Sequence, residues 1–511
     1  MKAITKFSMC AVAAMASFSC VKSEMTDDMI SGPVRVEINA SSSVSTKLTI
    51  DMLQTSWEAG DKISLFDTRG MYEGDFEASA SGTNVVFTGE MFDDADILKV
   101  AIFPANENAS YFPSTNSIST VIPAEQSGKI STCLSVAENG GNNNFAFLNA
   151  ASVIKVTIPE SEAGINFISF TADNNATIAG DVVINMDGNA PTAAPSTEAE
   201  AAKYSRIIVY NDGEPLVGDQ YITVIPGDYS GTLVFGKTEN SCRYASAKIV
   251  DTKTYSVNKI KNFGTAANLD WVKGAVTGVF TVGGEGKKVL MSQGYIRYNT
   301  TADSWSIAES FKPLTYTADA NEIELFSWNN ADNPKEIKVA TNEWGVGDWS
   351  AKLPQSGWSI LNSSEVEYLC RVAGSNPDRQ KAGLVKQAVG LAHIGSSATK
   401  NLYVILYPDG WAGDVIPDND IFATQVTEAD LKALEDKGCA ILAGGDNVSK
   451  SGGIAKTCYM VFWTSSSSKS KSGVLIATAY RLFNNSGALV RDLKTLETNY
   501  GYRARASYEI K

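Results

Sequence analysis

Four acids and a tryptophan stand close together in YPDGWAGDVIPDND (407–420): Asp409, Asp414, Asp418 and Asp420 around Trp411. Closely spaced carboxylates can supply the several oxygen ligands that a hard cation such as calcium takes. A tryptophan in the same loop can carry the apolar face of a sugar. Trp411, Asp414, Asp418 and Asp420 are therefore the candidate ligand-binding residues. The plainer alternative is a solvated loop with Trp411 packed inward. Two carboxylates at a fixed separation also serve glycoside hydrolysis, but a sequence gives no separation.

Other chemistry is thin. His393, in GLAHIGSS, is the only histidine, so any Ser-His-Asp or Cys-His pair would have to use it. It is expected to be structural, in a loop after a helical stretch. A histidine-rich zinc site is excluded. GGEGKK (283–288) only faintly echoes a phosphate loop and is expected to be a turn between strands. The Ser-rich WTSSSSKSKSG (463–473) is expected to be a loop tip after a buried Trp463. Trp349 and Trp358, in DWSAKLPQSGW, suit the core better than a ligand platform. No catalytic residue, metal or cofactor is expected, and the chain is not read as an enzyme.

The remaining chemistry-bearing residue is Cys20. It follows the basic and apolar stretch MKAITKFSMCAVAAMASFS and precedes KSEMTDDM. The stretch has the n-region and h-region of a secretory signal. With small residues Ser17 and Ser19 before Cys20, it resembles a lipoprotein lipobox, with Ser17 and Phe18 departing from the usual residues. That resemblance implies acylation of Cys20 by chains such as palmitate, each buried CH2 contributing roughly 0.8 kcal/mol of membrane attachment. No later segment is apolar for long enough to span a bilayer as a helix. Net charge is −14, or −16 without Lys2 and Lys6. An acidic chain without a basic patch argues against a nucleic-acid partner. Cys133, Cys242, Cys370, Cys439 and Cys458 are scattered and lack metal spacing, so they read as small buried hydrophobes with at most one disulfide towards the C-terminus.

The elements that must position these residues fall into two halves. From 34 to 270, short runs alternate apolar and polar residues, as in VRVEINA (34–40), KLTIDML (47–53) and SVIKVTIP (152–159). Gly, Asn, Asp and Pro separate them, which predicts many short strands and β-sandwiches. A break is expected near 159–164, and an excursion loop at GNAPTAAPSTEAEAA (188–202). After about 275 the tryptophans cluster. Helices are expected at SSEVEYLCRVAG (363–374), capped by Ser363 or Ser364, and at TEADLKALEDKG (427–438), with a Thr427 cap and Asp430 closing a capping box. The C-terminus reads as a strand.

Seven phrases of the first half, in order from SWEAGDKISLFD (56–67) through FAFLNAASVIKVTIP (145–159) to YSVNKIKNFGT (255–265), resemble the fimbrillin family of Bacteroidales lipoprotein pilin precursors. The likeness covers about 26–270. It implies two tandem transthyretin-like β-sandwiches, a lipid tether at 20–33, and surface export. It also implies removal of the first strand, VRVEINA, after a basic residue, and its replacement by a strand from another pilin subunit. Lys47, in STKLTID, stands at the cut where the family often has an arginine. Arg35 is the other basic candidate, but cutting there leaves most of the strand behind.

The second half resembles the bacterial major-paralogous-domain family, through GVFTVGGEGKKVLMSQGYIRYN (278–299), ILYPDGW (405–411) and GYRARASYE (501–509). That likeness implies an α+β C-type-lectin-like domain over 275–511. The Glu-Pro-Asn and Trp-Asn-Asp motifs of calcium-dependent lectins are absent. The fold expected is mostly β: a signal peptide at 1–19, sandwiches at 34–160 and 161–270, then the lectin-like domain. The function expected is a fimbrial tip subunit and adhesin, anchored to outer-membrane lipid through Cys20 before assembly. The alternative is a non-polymerising surface lipoprotein that binds glycans. Partners are other pilin subunits and a host or microbial glycan or protein.

Overall fold

The computed structural model describes residues 34–42 and 56–511, except 92–96, 130–132, 188–189, 212, 315–320, 329–347, 371–378, 396–400, 418–423, 445–446, 449–453, 456–459, 471–474, 486–487 and 498–501. The protein is mostly β, as expected.

The first unit is a closed seven-stranded barrel. Its first strand, Val34–Ser42, pairs with both Asn84–Met91 and Asn144–Asn149, so it joins the two ends of one sheet. Sandwich packing was expected, and closure follows from that double pairing. Two barrel strands, Lys62–Asp67 and Leu98–Phe103, are buried on both faces, which the apolar run VAIF announces for the second of them only. Ile63, Leu65, Ala101 and Phe103 point into the barrel core. Phe66, Val100 and Ile102 point out, into a second core shared with the middle unit.

That shared core shifts the boundary. The strand Ser152–Ile158, expected to end the first unit, pairs instead with Gly218–Val224 and Ile260–Thr265 of the middle unit. The segment Ser110–Gln126 also leaves the barrel. Its strand Ser117–Ile122 pairs with Ala179–Asn185, and Glu125–Gln126 with Arg206–Tyr210. The proposed excursion loop at 188–202 contributes a strand too, Thr192–Pro195, paired with Ala179–Asn185. Small alanines at 193 and 194 fit a strand with one buried position, Ala193 being 2% exposed.

The C-terminal unit centres on a nine-stranded sheet. Its last strand, Arg503–Glu509, lies between Lys288–Asn299 and Met460–Lys469. A four-stranded sheet built on Val389–Ile394 and Leu402–Leu406 packs a second core. The helix Glu428–Asp436 has the expected capping box between Thr427 and Asp430. The helix Ser363–Cys370 is capped by Asn362 rather than by a serine: Glu365 N–H donates to Asn362 Oδ1 and Asn362 N–H to Glu365 Oε2. Asn accepts at a cap as well as serine does. Cys133, Cys242, Cys370 and Cys439 are buried, as expected of small hydrophobes; Cys458 lies outside the described residues.

The middle and C-terminal units are joined by charge as well as by apolar contact. Arg243 reaches from the middle unit to Glu435 at 2.9 Å and to Asp436 at the end of the helix Glu428–Asp436. Arg206 donates to the Lys437 carbonyl at 2.9 Å. Both arginines sit where the helix dipole leaves negative charge.

Candidate strand-exchange site

The barrel's first strand is built by alternation. Val36, Ile38 and Ala40 face the core, while Arg35, Glu37 and Asn39 face out. Ile38 is 0% exposed. Antiparallel pairing with the strand Asn84–Met91 runs the length of the element, from Val34 opposite Met91 to Ser41 opposite Asn84. Parallel pairing with the strand Asn144–Asn149 covers only Asn39 to Ser42. The strand is thus held on both edges near its end and on one edge near its start. A cavity of 400 Å³ opens at its end, beside Ala40, Ser41, Asn84, Asn144 and Phe145.

Beneath this seat lies Trp57, 3% exposed. Its ring meets Phe87, Phe103 and Phe147 edge-on, with centroids 5.1, 5.0 and 5.0 Å away. Such pairs contribute roughly 0.5–1.5 kcal/mol each beyond area burial. None of the four rings belongs to the first strand. Withdrawing that strand would uncover Val85, Phe87 and Phe145 and two rows of backbone N–H and C=O groups, while leaving the aromatic brace intact. A neighbouring turn is stiffened separately. Burial pushes the Asp67 carboxyl up, but bonds from the Arg69 side chain and from the Met71 and Arg69 N–H groups outweigh it and hold the group below its usual value.

The last strand is seated differently. Arg503, Ala504, Arg505, Ala506 and Ser507 are all buried. Arg503 pairs with Glu324 at 3.1 Å, and Arg505 donates to the carbonyls of Ile441 and Gln293. The short strand Trp358–Ile360 adds a further pairing.

The other sequence candidates are dispersed. Cys20 and Lys47 lie outside the described residues, as do Asp418 and Asp420. Trp411 is 7% exposed. It packs on Tyr407, 5.5 Å between centroids, and donates from Nε1 to the Asp414 carbonyl. An exposed sugar platform at Trp411 is thereby corrected to a core residue: its ring finishes the hydrophobic cluster around Tyr407. Asp414 is exposed. Asp409 is buried, with one oxygen taken by Arg379 and the other by the Thr281 N–H and hydroxyl. No group of acids, His and Cys fit to hold a metal occurs among the described residues. His393 lies in the strand Val389–Ile394, not in a loop, and is 6% exposed. As far as Lys469 the Ser-rich stretch is likewise strand, since Met460–Lys469 pairs with Leu475–Asn485; its residues 471–473 lie outside the described residues. Trp463, Trp349 and Trp358 are buried, as expected of core residues, and GGEGKK forms the turn between Ala275–Thr281 and Lys288–Asn299.

The bracing role of Trp57, in SWEAGD, is not evident from that phrase alone. The signal was available: FAF in NFAFLN and VVF in NVVFTG place aromatic residues at alternate positions facing one tryptophan.

No family profile matches the chain, and no curated protein does. Several solved structures are similar. A proposed cell adhesion protein from Bacteroides uniformis is 16% identical, with 47% of this chain and 96% of that chain covered and a TM-score of 0.29. A proposed cell adhesion protein from Bacteroides ovatus is 13% identical, with 47% and 95% covered and a TM-score of 0.29. A fimbrial protein from Bacteroides ovatus is 12% identical, with 89% and 95% covered and a TM-score of 0.20. At these scores the likenesses carry no argument about this chain.

Proposed function

We propose that this chain is a surface subunit that accepts a strand from a neighbour and cannot donate one, which makes it a filament end with an adhesive C-terminal unit. It is a structural and binding protein rather than an enzyme. One observation carries the reading: the two terminal strands differ in how they can leave. The first strand precedes the rest of the barrel, so a single cut between Ser42 and Trp57 separates it from every other element among the described residues. Lys47 lies in that interval. The vacated seat offers backbone hydrogen-bonding groups beside an apolar groove, the chemistry of strand addition. The last strand is interior to a sheet and is bound by buried arginines.

Lipid attachment through Cys20 holds the precursor at the outer surface before the cut. Mass spectrometry of the mature surface form tests this part. A start near Leu48 supports exchange; an acylated Cys20 with an intact first strand supports the non-polymerising surface lipoprotein. Mixing the processed protein with shaft subunits should label fibre ends, and labelling along fibre sides would refute the end placement.

A further inference from the structure

The C-terminal and middle units enclose a cleft of 1670 Å³ that the strand-exchange reading does not use. Its walls come from the turn after the strand Ala275–Thr281, from the start of the helix Ser363–Cys370, and from Thr171–Asn174 and Ser205 of the middle unit. Binding sites favour such junctions, and this volume exceeds the roughly 300–1,000 Å³ of a compact small-molecule pocket. It suits an extended ligand.

Both lysines on the walls, and Asp409, are already matched. Lys287 pairs with Glu365 at 2.6 Å and lies 3.8 Å from Glu509. Lys288 is bonded to Asp173 and to the Thr232 hydroxyl. Asp409 is held by Arg379 and Thr281. A strongly charged ligand would have to break these pairs. What the walls leave open is hydrogen-bonding capacity. Ser205 is 4% exposed, lines the cleft, and has no hydroxyl partner among the described residues. It lies beside Gly410, where an added Cβ would come within 2.7 Å of its Oγ. Glu285 and Glu367 also line the cleft without an ion-pair or side-chain hydrogen-bond partner among the described residues. Unpaired carboxylates accept strongly from hydroxyls and repel anions. Gly284 and Gly286 leave open space at the rim.

The geometry points to this cleft as the binding site for a neutral oligosaccharide. Hydroxyls that donate to Glu285 and Glu367 and accept from or donate to Ser205 match the open groups, and no charge must be displaced. The inference rests on the adhesive part of the proposed function and is independent of strand exchange. It moves the ligand site away from Trp411 and Asp414.

The test uses the full unprocessed chain, so failure here leaves the exchange reading standing. The protein is titrated with neutral plant- and yeast-derived oligosaccharides, with sialylated and sulfated oligosaccharides, and with a decalysine peptide. Binding by the neutral set is expected. Gly284→Trp, which adds a ring where no atom lies within 4 Å of the new Cβ, should weaken it at least tenfold. Ser205→Ala should weaken it severalfold with the melting profile unchanged, and Asp414→Ala should leave it unaltered. Preference for the anionic set, binding to decalysine alone, binding to none of these probes, or neutral-sugar binding that survives Gly284→Trp overturns the inference.

Discussion

The first and last described strands both alternate polar and apolar residues and both lie between two neighbouring strands, yet one is seated to leave and the other to stay. The first presents three core-facing side chains, Val36, Ile38 and Ala40, and binds one barrel edge for only four residues. The last buries both of its faces and carries two buried arginines, Arg503 paired with Glu324 and Arg505 bonded to the carbonyls of Ile441 and Gln293. The difference lies in where each strand sits in the order of the sheet, and in what its buried side chains are bonded to. A strand held mainly by backbone pairing and a few aliphatic contacts can be swapped for another of the same pattern. A strand whose arginines hold distant carbonyls and carboxylates cannot be swapped without leaving unpaired charge.

The largest expected effect comes from deleting Arg503–Lys511. Removing an interior strand splits the nine-stranded sheet, so no soluble, cooperatively folding protein should be recovered. A chain starting at Leu48 should remain soluble when supplied with a synthetic VRVEINASS peptide, and its C-terminal unit should melt as in the full chain. Recovery of a folded C-terminal deletion would remove the comparison.

Next is Glu324→Ala. Glu324 is 3% exposed and pairs with both Arg503 and Arg297. Breaking a buried pair by deleting one partner costs about 3–5 kcal/mol, read as a fall in the denaturant midpoint. Ile38→Ala should be somewhat smaller. Truncating a buried isoleucine costs about 2–5 kcal/mol, towards the low end here because the 400 Å³ cavity beside Ala40 gives the groove room to adjust. It should also speed loss of the first strand to protease, which Glu324→Ala should not do. Equal rates of release in the two variants would erase the distinction between the termini.

Much of this contrast is readable in the amino-acid order. VRVEINA shows its inward face by alternation, and VAIF within LKVAIF shows by its apolar run that it is covered twice, whereas KISLFD, with Ser64 and Asp67 inside the burial, does not. The Thr427–Asp430 capping box is local, so its spacing alone reveals it. What could not be read is long-range pairing. Nothing in Ser110–Gln126 says that it leaves the barrel, because its partners Ala179–Asn185 and Arg206–Tyr210 lie far along the chain. His393, followed by Gly395 and serines, and the serines after Trp463 looked like loop, whereas cross-strand partners turned His393 and the serines up to Ser468 into sheet. The cleft was equally hidden, since its walls come from many separate segments of both the middle and the C-terminal units.

The smallest expected effect is also the sharpest probe of how the first strand is held. Glu37 faces solvent, opposite Thr88, with Ile38 beside it facing in. If the strand is retained by its inward aliphatic side chains and its backbone pairs, Glu37→Ala removes nothing that holds it. Exposed substitutions away from special features usually change stability by less than about 0.5 kcal/mol, and that is the expected shift in a denaturant titration. Protease release should be unchanged as well. A cost above about 1 kcal/mol would mean that the outward face is also engaged. A donated strand would then need a matching acid at that position, and exchange would be selective for residues on both faces instead of for the alternating apolar pattern alone.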